Sequence, residues 1–144
     1  METTKITAEP LMIGDWVSID NKPHKVTGIQ ICDGIMCVQT DYTDTYYSIE
    51  NYAPITITPD ILEKNGFSEL MLHDEWSQIF RAYHDDLFIE VGIYEPMFIN
   101  IGYVDKDGEE TTLSNIIKIH GENFYFHELQ HALRLCGVDK EIVL

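Results

Sequence analysis

Positive charge is what this chain has least of. Nine Lys and Arg stand against 25 Asp and Glu in 144 residues, a formal net charge of −16 at pH 7. Such a chain repels phosphate backbones and anionic lipid surfaces, which disfavours direct nucleic-acid binding and electrostatic attachment to a membrane. Cysteine is also scarce. Cys32, Cys37 and Cys136 give an odd count, which argues against a disulfide framework and for a reducing compartment. No apolar run approaches the ~20 residues that span a bilayer, and residues 1–10 lack the basic-then-apolar pattern of a secretory leader. The expectation is a cytoplasmic protein that spans no membrane. A glycine-rich phosphate loop, a nucleophile motif, an internal repeat and a low-complexity linker are all missing from the sequence.

What is present is enough apolar material for a core, 44% hydrophobic residues. The length fits a single compact domain over 1–144. The alternative division is two subdomains, about 1–57 small and β-barrel-like and 58–144 α+β. The acidity fits a partner with a basic surface, or mimicry of nucleic acid toward a nucleic-acid-binding protein. Solubility alone also accounts for it.

Residues 11–40 read as short strands. Leu11-Met12-Ile13 precedes Gly14-Asp15, and Trp16-Val17-Ser18-Ile19 follows. Asp20-Asn21-Lys22-Pro23 is turn material, His24 to Ile31 alternates loosely, and Asp33-Gly34 signals a hairpin before Ile35-Met36-Cys37-Val38. This spacing predicts a small barrel-like or curled antiparallel sheet. Residues 41–52, with Tyr42, Tyr46, Tyr47 and Tyr52, read as a loop and a short strand. A helix is predicted over about 59–65, with Thr58 as N-cap, Pro59 in the first turn, Ile61 and Leu62 inward, and Gly66 as the stop. Residues 67–119 read mostly as strands, strongest at 88–91 and 97–104, with a turn at 105–108 closing a hairpin onto 111–119. A second helix, about 127–136, is stopped by Gly137. The fold class is α+β, mainly antiparallel β, with two short helices.

One stretch spells out chemistry. His127-Glu128-Leu129-Gln130-His131 has the H-E-x-x-H pattern, with two histidines one helical turn apart and a glutamate placed as general base. A catalytic zinc needs a third protein ligand. The metzincin continuation fails, because Arg134 and Gly137 stand where glycine and histidine belong. Asp139 and Glu141 are the downstream candidates, and His73, His84 and His120 the upstream ones. On a helical wheel Leu129, Ala132, Leu133 and Cys136 make the apolar face, with His127, Gln130, His131 and Arg134 opposite, the arrangement of a surface helix with a solvated polar side. Arg134 also sets a fixed positive charge near any cation.

Other residues invite weaker readings. Cys32 and Cys37 flank the Asp33-Gly34 turn, which would set them across a hairpin from each other, yet one such pair is a poor zinc signal and two small strand residues is the plainer reading. His73-Asp74-Glu75 and His84-Asp85-Asp86 hold cation-binding groups without the spacing of a calcium loop and read as solvated loops. Tyr42, Tyr46, Tyr47 and Tyr52 offer an interaction surface of rigid rings with polar tips, or half-buried strand packing.

Four segments carry a resemblance. They are Leu11-Met12-Ile13-Gly14-Asp15-Trp16-Val17, Val26-Thr27-Gly28-Ile29, residues 54–67 (PITITPDILEKNGF) and residues 124–138 (FYFHELQHALRLCGV). They resemble small uncharacterised proteins encoded by phages and mobile elements of gut Bacteroidales. The similarity touches both ends and the middle, while residues 69–118 match only in general character. The resemblance brings no activity with it. It implies a pattern of His-x-Leu-Gln-Asn where this chain has His127 to His131, which makes the second histidine a local variant. The expectation is therefore a non-enzymatic accessory protein that binds another protein, with no cofactor. Two alternatives stand beside it: a zinc-dependent hydrolase using His127, His131 and Glu128, and a module that binds a nucleotide or similar small molecule.

Overall fold

The computed structural model describes residues 11–70, 78–93, 97–118, 124–138, 142 and 144. The chain divides into two compact units, the first of residues 1–55 with 125–128, the second of 56–124 with 129–144. The return of 125–128 to the first unit is the part that a linear reading does not contain.

The first unit is a four-stranded antiparallel meander, β1 (Trp16–Ile19), β2 (Lys22–Cys32), β3 (Ile35–Thr40) and β4 (Thr43–Ser48), in the order β1-β2-β3-β4. The expected barrel closure is not seen: among the described residues β1 and β4 end the strand order and do not pair, and the far side of β1 meets only a single bridge, Ser18 with Ala53. The long β2 serves both neighbours in turn. Residues 22–25 pair with β1, and residues 26–32 pair with β3 after a register shift at Val26/Gly28.

Turn chemistry sets the registers. Asp20 and Asn21 (φ 49° and 63°) join Ile19 to Lys22, and Asp33 and Gly34 (φ 52° and 78°) join Cys32 to Ile35. Positive φ at both central residues is the turn whose twist matches paired strands. Ahead of β1 the expected strand at Leu11-Met12-Ile13 is a tight turn instead. Asp15 N–H donates to the Met12 carbonyl (3.0 Å), and the Asp15 carboxylate accepts from Met12 N–H (2.7 Å). Gly14, at φ 95°, supplies the left-handed residue that this turn needs.

Alternation then decides what is buried. Leu11, Val17, Val26, Val38 and Tyr52 form the core cluster, with Ile19, Ile29, Met36 and Ile49 packed against it. Tyr52 follows a short 3-10 helix (Ile49–Asn51), and its hydroxyl donates to the Val38 carbonyl at 2.7 Å. The stretch expected as loop plus short strand is thus β4, the 3-10 turn and a core tyrosine.

The second unit holds a five-stranded antiparallel meander, β5 (Ser68–Glu69), β6 (Gln78–His84), β7 (Leu87–Ile93), β8 (Met97–Val104) and β9 (Glu110–Lys118). Phe80, Ala82, Ile89, Val91, Ile99 and Ile101 share one face by register and are buried. The other face carries a cross-strand row of Arg81, Glu90, Asn100 and Asn115. Beside it, two aromatic rings lie flat over glycines on the neighbouring strand. Phe88 is paired with Gly102, and Phe98 with Gly92. A Cβ at either glycine would collide with the ring above it, so each ring packs on the sheet face away from its aliphatic core, Phe88 fully buried and Phe98 half-buried. The β8–β9 turn is held by Asp105, whose carboxylate accepts from Asp107 N–H (2.8 Å) and Glu109 N–H (2.9 Å).

The first helix, α1 (Pro59–Lys64), starts as expected, with the Thr58 hydroxyl accepting from Ile61 N–H. Leu62 is fully buried, but Ile61 is only partly so. Gly66, at φ 85°, ends α1: Gly66 N–H donates to the Glu63 carbonyl and Phe67 N–H to the Leu62 carbonyl. That is the Schellman pattern, with its accompanying burial of Leu62 and Phe67.

A prediction follows for the glycines under the rings. At Gly102 a new methyl meets the Thr111 backbone carbonyl as well as Phe88, whereas at Gly92 it meets only the Phe98 ring. Gly102→Ala should destabilise by about 2–3 kcal/mol and Gly92→Ala by about 1 kcal/mol, since only the side-chain clash can be relieved by moving a rotamer. Denaturant unfolding of the two variants checks this; equal losses would contradict the packing described.

Candidate functional site

The H-E-x-x-H stretch opens the second helix, α2 (Phe126–Leu135). Tyr125 is the residue before the first helical position, which puts Glu128 at the third. From there its carboxylate turns back and accepts the Tyr125 N–H (3.3 Å), while Glu128 N–H donates to the Tyr125 carbonyl (3.0 Å). This is the glutamate half of a capping box, which satisfies one of the amides a helix start leaves without a partner. The next amide, Phe126 N–H, donates to the Ile55 carbonyl at 2.7 Å. The Glu128 carboxylate is therefore engaged in holding the helix start, the same group that a hydrolase would need as its base.

The histidines do not sit as the wheel implies. His127 is 2% exposed and Gln130 6%, and His131 is half-buried. The expectation of a solvated polar side holds only at the helix end, where Arg134 and Leu135 are exposed. The physical reason is that polarity reports the need for a partner, not for water. The His127 ring stacks on Tyr125, centroids 6.1 Å apart and planes 4° apart. The expected apolar side is inward as read: Leu129, Ala132 and Leu133 are buried and Cys136 partly so. Gly137 (φ 73°) ends α2 with the same Schellman pattern as α1, Val138 N–H donating to the Leu133 carbonyl at 2.9 Å.

A third zinc ligand is the remaining requirement. Among the described residues no group of three or more His, Cys, Asp and Glu is arranged to hold a metal ion. His73, His120, Asp139 and Glu141 lie outside the described residues, as does the His73-Asp74-Glu75 cluster. His84 ends β6 and contacts the Asp85 carboxylate at 3.7 Å. Asp85 and Asp86, read as a solvated loop, are the two-residue turn joining His84 to Leu87, with Asp85 at φ 53°.

The four tyrosines sort into three environments. Tyr52 belongs to the core and is not part of an interaction surface. Its hydroxyl has a backbone acceptor, and burial pushes its pKa above the usual tyrosine value. Tyr46 is half-buried and lies across Gly28, where a Cβ would strike its hydroxyl. Tyr42 and Tyr47 remain exposed, at 68% and 46%. Tyr42 also packs its ring against His24 (5.1 Å), and His24 Nδ1 lies 3.1 Å from the Asp41 carboxylate.

Arg81 went unread in the sequence, yet it is the centre of the polar row on the second sheet. Its guanidinium donates to Glu110 (2.7 Å), Glu90 (3.0 Å) and the Tyr83 hydroxyl (3.1 Å), and sits 4.7 Å over the Phe88 ring. The Glu110 hydrogen bond chiefly, then Tyr83 and Glu90, hold its pKa still further above the ordinary arginine value. With two carboxylates on it, this cation is not offered to an anionic ligand. Its partners lie 9 and 29 residues away in sequence, so only strand register reveals them.

No known protein family, curated protein or solved structure matches this chain. Among the described residues no helix is long and apolar enough to cross a membrane.

Glu128 separates the two readings of its motif. Glu128→Ala should cost about 1 kcal/mol, the usual worth of a helix cap, while Glu128→Gln, also a capping-box residue, should recover most of it. Protein purified without added metal should hold no stoichiometric zinc, and a chelator should leave its melting temperature unchanged. One zinc per chain, lost together with stability on chelation, would restore the hydrolase reading.

Proposed function

We propose that this chain is a non-enzymatic protein-binding module, an accessory protein of a phage or mobile element, directed at a partner with a basic surface. The observation that carries the reading is the exposed apolar side chains on the hairpins of the first unit. Ile31 and Ile35 stand 66% and 51% exposed at the tip of the β2–β3 hairpin, Tyr42 is exposed in the β3–β4 turn and Tyr47 on β4. Exposed carboxylates at Asp33, Asp41 and Asp44 are interspersed with them. Apolar anchors bordered by charge are the composition of a protein-recognition surface. Tyr and Ile supply contact area, and the carboxylates supply orientation and association rate toward a positively charged partner. The net charge of −16 adds a long-range field of the same sign. The engagement of the Glu128 carboxylate in a helix cap weakens the hydrolase alternative without bearing on this one.

The experiment is capture from a Bacteroidales host lysate with wild-type protein and two variants, Tyr42→Ala/Tyr47→Ala and Asp33→Lys/Asp41→Lys/Asp44→Lys. Wild type should enrich the same basic protein in every repeat. Removing both rings should weaken binding at least about tenfold, from roughly 1–2 kcal/mol for each anchor lost. Binding should also fall as salt rises, because charges separated by more than about 10 Å are screened at 0.1 M. Repeated capture of nothing specific, or of a partner that both variants hold as tightly, would overturn the proposal.

A further inference from the structure

The β2–β3 hairpin carries a second feature. Cys32 is paired with Ile35 and Gln30 with Cys37. All four side chains therefore share one face of the ribbon, and the cysteines are diagonal neighbours across it. Gln30 Nε2 donates to Cys32 Sγ at 3.3 Å, and the Cys37 thiol is close enough to Cys32 for the two to interact. Both are free and half-buried, and they lie beside the exposed hairpin tip.

Diagonal strand neighbours stand about 7–8 Å apart at Cα, while a disulfide closes at roughly 4.4–6.8 Å. A direct S–S bond would thus require the hairpin to move. A bridging atom lengthens the reach: two metal–thiolate bonds of about 2.3 Å laid end to end span roughly 4.6 Å, more than twice the ~2.04 Å of a direct S–S bond. Among the described residues no third His, Cys, Asp or Glu completes a metal-holding group here, so a four-coordinate ion such as zinc is poorly served. A two-coordinate soft ion needs nothing more than the pair.

We propose that Cys32 and Cys37 form a two-thiolate site for a soft, thiophilic monovalent cation of the Cu(I) and Ag(I) class, held between the two sulfurs. Thiolates select such ions over hard cations. Each sulfur loses its proton to solvent and forms one bond to the metal; two protons leave, one cation enters, and no oxidation state changes. The Gln30 amide N–H already points at Cys32 Sγ and supports the thiolate there. The neighbouring Asp33 carboxylate supplies a field of the sign that attracts a cation. Burial, and then the interaction with the Cys32 side chain, push the Cys37 thiol above its ordinary pKa. Metal must displace that proton, so affinity rises with pH.

The test titrates the reduced full-length protein with Ag(I), followed by native mass spectrometry. Wild type and Cys136→Ser should each take up one ion per chain with loss of two protons, while Cys32→Ser and Cys37→Ser should take up none. Apparent affinity should increase from pH 6 to pH 8. A variant-free arm uses wild type alone: bound Ag(I) should protect Cys32 and Cys37 from iodoacetamide and leave Cys136 reactive. Equal uptake by the serine variants, loss of uptake in Cys136→Ser, one ion shared by two chains, or protection of Cys136 in place of the pair would each overturn the site.

Discussion

Where α2 begins depends on two consecutive amides. Tyr125 N–H is taken by the Glu128 carboxylate and Phe126 N–H by the Ile55 carbonyl. A helix start leaves its first amides without internal partners, and buried ones need acceptors supplied from elsewhere. Phe126, His127 and Glu128 are all buried and Tyr125 is half-buried, so these amides take protein acceptors. The four residues 125–128 belong with the N-terminal meander, though some seventy residues of chain intervene. The glutamate that the motif offers for chemistry is the residue that accepts the Tyr125 amide.

The same economy recurs elsewhere. Both helices end on a glycine in the left-handed region, and both bury the apolar pair that spans that end, Leu62 with Phe67 and Leu133 with Val138. Both sheets bring an aromatic ring close over glycine, Tyr46 at Gly28 in the first and Phe88 and Phe98 at Gly102 and Gly92 in the second. In each case the missing Cβ is what allows the ring to lie down on the neighbouring strand. Polar residues inside the second sheet face are ordered by Arg81, whose hydrogen bonds gather Glu90, Glu110 and Tyr83 around the Phe88 ring. Chemical-looking groups, the glutamate of the motif and the half-buried arginine, are thus occupied with the architecture. The exposed side chains of the first hairpins are not.

Local signals were legible in the sequence. Asp33-Gly34, Thr58-Pro59, Gly66 and Gly137 each specify a turn, cap or stop through the φ value or hydrogen bond that only a few residue types provide. The antiparallel α+β class, the α1 limits and the inward side of α2 follow from them. Closure into a barrel did not, because whether the first and last strands pair depends on long-range register and not on turn residues. The burial of His127 and Gln130 was also hidden: a helical wheel separates polar from apolar but cannot say which side meets solvent. Tyr52 looked like its exposed neighbours, since the acceptor for its hydroxyl, the Val38 carbonyl, is fourteen residues upstream. Arg81 was silent for the same reason.

The central claim is that the H-E-x-x-H segment is a structural helix start. Residue-resolved amide hydrogen exchange measures this most directly. In wild type the Tyr125 and Phe126 amides should be protected to a degree comparable with the interior of α2. In Glu128→Ala the protection at Tyr125 should fall, while Val17, Val26 and Val38 in the meander core keep theirs. A Tyr125 amide that exchanges freely in wild type, or one indifferent to loss of the Glu128 carboxylate, would contradict the account.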